Sequence, residues 1–238
     1  MQLAIFDLDG TLTRTTRADA ACYVRAMREG VGILDIDSNW TTYTHSTDSG
    51  ITAEIFQTHF RRPPTPDEIA RFKEQFVGLL AETFRREPDS CREMAGAAAA
   101  LQRLRAHAQW RIALATGSWR ACATLKVQTA GLDLDGVPAA FADDSFEREE
   151  IIAVARSRAL ACYRLSDFSR VVYVGDAPWD VRAARRLGIP FLGIGGGRKA
   201  ERLLHDGASE VLQDFSDFEG VLRGLNQVTV PITTGAAL

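Results

Sequence analysis

A doubly wound α/β fold, with a parallel sheet covered by helices on both faces, is predicted for this chain by three observations. Short apolar runs alternate with longer amphipathic segments, one long stretch interrupts the alternation, and acids or hydroxyls follow three of the runs. Alternation of this kind implies parallel pairing and right-handed crossovers. The strand-type runs lie at 3–6, 112–115, 138–142, 171–174 and 191–194, with a weaker one at 210–212. Between them, 92–107, 119–131, 147–161 and 179–187 carry apolar residues at three- and four-residue spacing on charged segments, which is the pattern of amphipathic helices.

The interruption runs from 14 to 91 and has helical segments at 18–29, 52–60 and 67–86 but no strand pattern. Pro63, Pro64 and Pro66 separate the last two, with Thr65 and Asp67 beside a helix start. An insert of this size after the first strand makes a small all-helical domain, joined to the core by two chain crossings and expected to hinge over it. The predicted division is an α/β core of residues 1–13 and 92–227, a helical cap of 14–91, and a flexible tail of 228–238. That tail is uncharged and contains Pro231 and Gly235.

Composition narrows the function. The 238 residues are 46% hydrophobic and 25% charged, with 28 Lys and Arg against 31 Asp and Glu, a net charge of −3. That balance argues against a polybasic nucleic-acid footprint. No apolar run approaches the ~20 residues of a membrane span, and the first residues lack the basic and apolar regions of a secretory signal. The cysteines, Cys22, Cys91, Cys122 and Cys162, stand singly and read as reduced thiols. The expectation is a cytoplasmic protein with neither nucleic-acid nor membrane partners.

Chemistry gathers at strand ends. Asp7 and Asp9 follow the first run in Phe6-Asp7-Leu8-Asp9-Gly10-Thr11-Leu12, and Gly10 permits the sharp turn that sends both carboxylates off one sheet edge. Two carboxylates so close call for a hard cation such as Mg²⁺. A calcium loop is the rival reading, but its sixth and twelfth positions hold Leu12 and Ala18 instead of Gly and Glu. Thr116-Gly117-Ser118 follows the second run and opens a helix, a ready anion site. Asp176 ends the run at 171–174, and Asp180 lies four residues on, at a helix start where the dipole favours an acid. In open α/β sheets the ligand site lies outside the carboxyl ends of the strands, so these groups can converge.

DLDGTL, ATGS and VGDAPWD, in that order and with a helical insert after the first, resemble the haloacid dehalogenase superfamily in its phosphohydrolase branch. The insert is similar to that family's helical C1-type cap, and the whole looks like its phosphoglycolate phosphatases. The resemblance spans residues 1 to about 212 and implies a Rossmann-like core. It implies that Asp7 attacks phosphorus to form an aspartyl-phosphate, and that Asp9 protonates the leaving oxygen and later activates water. It further implies Mg²⁺ held by Asp7, the Asp9 carbonyl and Asp176, with Asp180 orienting a ligand water, and phosphate oxygens bound by Thr116, Gly117 and Ser118. Dehalogenases of this fold generally lack the second acid, so Asp9 points to phosphate esters.

The family's Lys before the last motif is missing from 143–149. Arg148 is the expected replacement, since a guanidinium clamps phosphate oxygens. Lys126 is the alternative, ten residues beyond Thr116 and thus roughly 15 Å along a helix axis. In the cap, 43–51 is the segment most like a specificity loop, offering His45, Thr47 and Asp48 to a substrate. Its other reading is a helix cap, with Asp48 or Ser49 capping a helix from 51. Trp40 and Tyr43 read as core aromatics first and pocket walls second, 193–197 as a tight turn, and Arg182, Arg185 and Arg186 as a solvated helix face.

The predicted function is a Mg²⁺-dependent phosphatase for a small phosphorylated metabolite, acting as a monomer or homodimer. The alternatives are a phosphomutase, which returns the phosphoryl group to its substrate, and a non-catalytic binding or regulatory module of the same fold.

Overall fold

The computed structural model describes residues 1–232. Six parallel strands, β1 (Gln2–Phe6), β2 (Trp110–Ala115), β3 (Ala139–Ala140), β4 (Arg170–Gly175), β5 (Phe191–Ile194) and β6 (Val211–Leu212), each fall on a predicted run. Their order is β3-β2-β1-β4-β5-β6. Side-chain alternation divides the core between the two faces: Ala4 and Phe6 join one hydrophobic cluster, Leu3 and Ile5 the other. Both faces are covered, which is why the strands read as continuous apolar runs rather than as alternating ones.

Nine helices complete the described residues. In the core they are α4 (Ala97–Arg105), α5 (Arg120–Thr129), α6 (Arg148–Tyr163), α7 (Pro178–Leu187), α8 (Arg198–His205) and α9 (Phe218–Gln227). The insert holds α1 (Thr16–Ala26), extended by a π-helical turn, α2 (Asp48–Phe60) and α3 (Pro66–Arg86). Helix α4 starts five residues later than its apolar periodicity suggests. Residues 92–94 are occupied in backbone pairing instead: the Arg14 amide donates to the Arg92 carbonyl and the Met94 amide to the Leu12 carbonyl, both at 2.8 Å. The two crossings to the insert thus pair with each other. Helices α8 and α9 have no counterpart in the sequence reading. Interior glycines obscure α9, yet Gly224 lets it approach Leu192, whose Cδ1 would lie 3.0 Å from an added Cβ.

Strand order reverses beside β1, since the chain adds β2 and β3 on one side and then crosses to place β4 on the other. The carboxyl ends of β1 and β4 flank this switch point, where open α/β sheets bind their ligands. Register completes the alignment: Phe6 pairs with Val174 and with Leu114, so Asp7, Asp176 and Thr116 emerge one or two residues beyond the same level.

The insert has its own hydrophobic cluster, built on Tyr23, Phe56, Phe72, Phe76 and Leu80, and Trp119, Cys122 and Ala142 of the core enter it. Trp119 meets the Phe72 ring edge-on at 5.7 Å. Helix α3 is fixed at its start by a capping box: Thr65 accepts from the Glu68 amide and Glu68 from the Thr65 amide.

Two expectations change near the chain's end. Residues 228–232, expected in a flexible tail, lie on the core: Val228 is buried, and the Ile232 amide donates to the Gly207 carbonyl at 3.2 Å. The remainder of that segment, 233–238, lies outside the described residues. Arg185, expected on a solvated face, holds this segment by donating to the carbonyls of Ile232, at 2.9 Å, and Asp206. All four cysteines are free thiols, and no helix among the described residues is long and apolar enough to cross a membrane.

Candidate active site

Asp7 and Asp176 meet at the switch point. One oxygen each of Asp7, Asp176 and Asp180 lie within 4.8 Å of one another, and all three residues are buried. Gly10 makes this approach possible: its φ is +83°, and an added Cβ would fall 2.1 Å from Asp176 Oδ2. Thr11 donates across the gap, 3.3 Å to Asp176 Oδ1 and 3.4 Å to Asp7 Oδ2. Asp180 closes the turn after β4 by accepting from the amides of Asp176 and Ala177, both at 3.1 Å.

Arg148 is the buried cation of this cluster. It lies in the first turn of α6, buried, with Nη1 3.0 Å from Asp7 and 3.2 Å from Asp180. The Tyr173 hydroxyl fixes the pair from below, accepting from Arg148 at 3.3 Å and donating to Asp180 at 3.1 Å. Gly117 leaves room for the guanidinium, since a Cβ there would come within 2.4 Å of Nη2. Burial, reinforced by the Asp180 charge, still pushes the Asp7 carboxyl well above the usual carboxylate range, against the pull of Arg148. Burial likewise raises Asp176 to about 6, with Lys199 of α8 opposing. Three crowded oxygen donors, with Asp7 and Asp176 both held back from ionising, fit a hard divalent cation, whose charge would restore those two to carboxylates.

Asp9 turns the other way. Thr15 donates to its Oδ1 at 2.6 Å, Ser118 to its Oδ2 at 2.8 Å, and Lys126 Nζ lies 2.8 Å from it. Burial opposes ionisation, but the Lys126 ammonium and these hydroxyls hold the Asp9 carboxyl below its ordinary value. Lys126 is buried, and it also pairs with Asp19 of the insert. Distance along the axis disfavours Lys126 in the sequence; in the structure α5 starts only at Arg120, placing this lysine roughly 9 Å along the helix and pointing back to its start. Both cations therefore reach the site, one for each acid.

Thr116 and Gly117 line the cavity at the end of β2, and the Ser118 amide donates to the Thr116 hydroxyl at 3.1 Å. Ser118's own hydroxyl serves Asp9 and Lys126. Of the cap residues expected to face a substrate, only Asp48 lines the cavity. It accepts from the Trp119 amide at 2.8 Å, and burial, with Asp19 nearby, raises its carboxyl to about 8. Thr47 caps α2 by accepting from the Gly50 amide and donates to the Phe146 carbonyl, so the cap is Thr47 rather than Asp48 or Ser49. His45 packs against Phe146 and lies 3.8 Å from Glu147. His45 and Thr47 are thus taken up in holding insert to core, while Ser46 and Asp48 of the same loop line the cavity, a division that the sequence pattern alone does not make. Trp40 meets both of its readings: half-buried, it packs against the insert's hydrophobic cluster and lines the cavity. The cavity, of about 360 Å³, runs from Asp7 between insert and core to Trp40, Trp179 and Arg202.

A family model for haloacid dehalogenase-like hydrolases matches residues 1–188. Among solved structures, a hydrolase from Pseudomonas syringae superposes with a TM-score of 0.71 at 20% identity, covering 94% of this chain and 98% of that one. CbbY from Rhodobacter sphaeroides, in complex with phosphate, gives 0.69 at 21% identity over 94% and 99% of the two chains. A predicted phosphoglycolate phosphatase from Haemophilus somnus gives 0.61 at 18% identity over 92% and 97%. At these identities the likeness is one of fold. No curated protein sequence matches. The chain belongs to the haloacid dehalogenase-like hydrolases, and its fold is one that phosphatases of that family carry.

Proposed function

We propose that this hydrolase is a Mg²⁺-dependent phosphatase that cleaves a small phosphate monoester through an aspartyl-phosphate on Asp7. The observation that carries this reading is the convergence of Asp7, Asp176 and Asp180 within 4.8 Å, with Arg148 against Asp7 and the end of β2 facing the same cavity. Asp7, Asp176 and the Asp9 main-chain carbonyl would hold the metal, with Asp180 oriented behind it. Its charge would keep Asp7 ionised and offset repulsion between carboxylate and phosphate.

The residues then divide the work. Asp7 Oδ attacks phosphorus as the ester oxygen leaves, and Arg148, Thr116 and the Gly117 amide bind the phosphoryl oxygens through the transfer. Asp9, ionised while it is held by Lys126 and Ser118, exchanges those contacts for the substrate and takes up a proton from solvent, delivers it to the leaving oxygen, and then takes one back from the water that cleaves the intermediate. A fold neighbour in complex with phosphate supports a phosphoryl ligand for this fold. A cavity closed on one side by the insert suits a small metabolite.

Hydrolysis of p-nitrophenyl phosphate with Mg²⁺ tests the reading. Asp7→Asn is expected to lower kcat by at least ~10³-fold with an unchanged circular dichroism spectrum, and chelation to abolish wild-type turnover. Retained turnover in the folded variant would refute Asp7 as nucleophile.

A further inference from the structure

Lys199 stands at the acid cluster but has no part in the chemistry above. It is the second residue of α8, and its Nζ donates to Asp176 Oδ2 at 2.5 Å. The stem reaches that far because Gly195 carries no side chain: a Cβ there would lie 2.4 Å from Lys199 Cδ. The contact is lopsided. Asp176 is 8% exposed and anchored in the turn after β4, whereas the Lys199 side chain is 42% exposed and borders the cavity.

Charge explains why a lysine is there. Arg148 alone balances only one of the three carboxylates, and it is committed to Asp7 and Asp180. Asp176 receives no guanidinium, so without Lys199 its buried charge would have only the Thr11 hydroxyl. A divalent cation held by Asp176 would bring two positive charges to the carboxylate that the ammonium already occupies, and like charges at such separations repel strongly in a poorly solvated pocket. Arg148 cannot yield, being also bonded to the Ser46 carbonyl at 2.8 Å and to Tyr173. Lys199 can, on a flexible four-carbon stem beside open cavity.

We propose that Lys199 is a displaceable counter-ion of the acid cluster: it holds Asp176 in the metal-free protein, and a divalent cation binds by expelling its ammonium from that carboxylate. Lys199 is thus a positioning residue, which keeps Asp176 in place at the expense of metal affinity. The inference rests on the reading above only in taking the three carboxylates to receive a divalent cation, not in the reaction catalysed.

Isothermal titration of Mg²⁺ alone, without substrate, into wild type, Lys199→Met, Lys199→Gln and Lys199→Arg tests it. Removing the charge is expected to tighten Mg²⁺ binding about tenfold, the size of one charge-assisted hydrogen bond, while Lys199→Arg stays near wild type. Without metal, both neutral variants should melt below wild type, and gain more than wild type on adding Mg²⁺. Equal or weaker Mg²⁺ binding in both neutral variants overturns the proposal, since a lysine that only orients Asp176 for the metal would give that result. A wild type that takes up no Mg²⁺ overturns it together with the metal-dependent reading. Mg²⁺ binding without phosphatase activity would refute the proposed reaction and leave this inference standing.

Discussion

Asp7 and Asp9 leave the same strand end two residues apart and enter clusters of opposite character. The carboxylates of the Asp7 cluster all come from the core, from the ends of β1 and β4 and the start of α7, and the Arg148 guanidinium shared by Asp7 and Asp180 touches the insert only at Ser46. The Asp9 cluster spans core and insert, with Lys126 of α5 between Asp9 and Asp19 and two hydroxyls donating to Asp9. Burial raises both acids, but only Asp9 has donors enough to end below its ordinary value. The lesson is that partners, and not position in the chain, set the charge state. In the proposed reaction the nucleophile is the group that requires an added cation, and the proton-transfer group is ionised without one.

The largest expected effect breaks the Asp9 side chemically. Asp9→Asn should lower turnover of an alkyl phosphate by about 10²- to 10⁴-fold, and that of p-nitrophenyl phosphate by less, since an aryl oxide leaves without a proton. Equal losses on both substrates would show that Asp9 is not the leaving group's acid.

Removing the cation that joins insert to core tests the structural half of the comparison. Lys126→Met leaves the half-buried Asp9 and Asp19 without the buried cation between them and should cost up to about 3–5 kcal/mol in urea unfolding. A loss below about 1 kcal/mol, the worth of an exposed ion pair, would mean that this cluster contributes no more than a surface contact.

The smallest effect is a change of slope with pH. Asp48 is raised to about 8 by burial and by Asp19, from 3.8, so the folded protein holds a proton that the unfolded chain has released. Stability from this group is therefore present at low pH and lost as pH rises toward 8. Asp48→Asn keeps an oxygen for the Trp119 amide but cannot ionise, so its Tm should fall less than that of wild type between pH 6 and pH 8.5. Parallel curves would remove Asp48 from the coupled set.

Local chemistry alone determines much of this protein. The strands, the helical insert between the first two, the Thr65 start of α3 and the acids that end β1 and β4 all follow from periodicity, capping and turn residues. Those signals act over a few neighbours along the chain, which is why they are legible there. Only the tertiary structure decided which cation each acid receives. Lys199 and Tyr173 look like ordinary members of a helix or a strand, and Lys126, an alternative in the sequence, shows its role only when α5 brings it 2.8 Å from Asp9 across 117 residues. His45 and Thr47 show the converse, polar side chains in a loop whose pattern suits substrate binding but which folding spends on Phe146 and the start of α2. The physical reason is that secondary structure answers to short-range sterics and apolar spacing, whereas ionisation answers to every charge and donor within a few ångströms, whatever its place in the sequence.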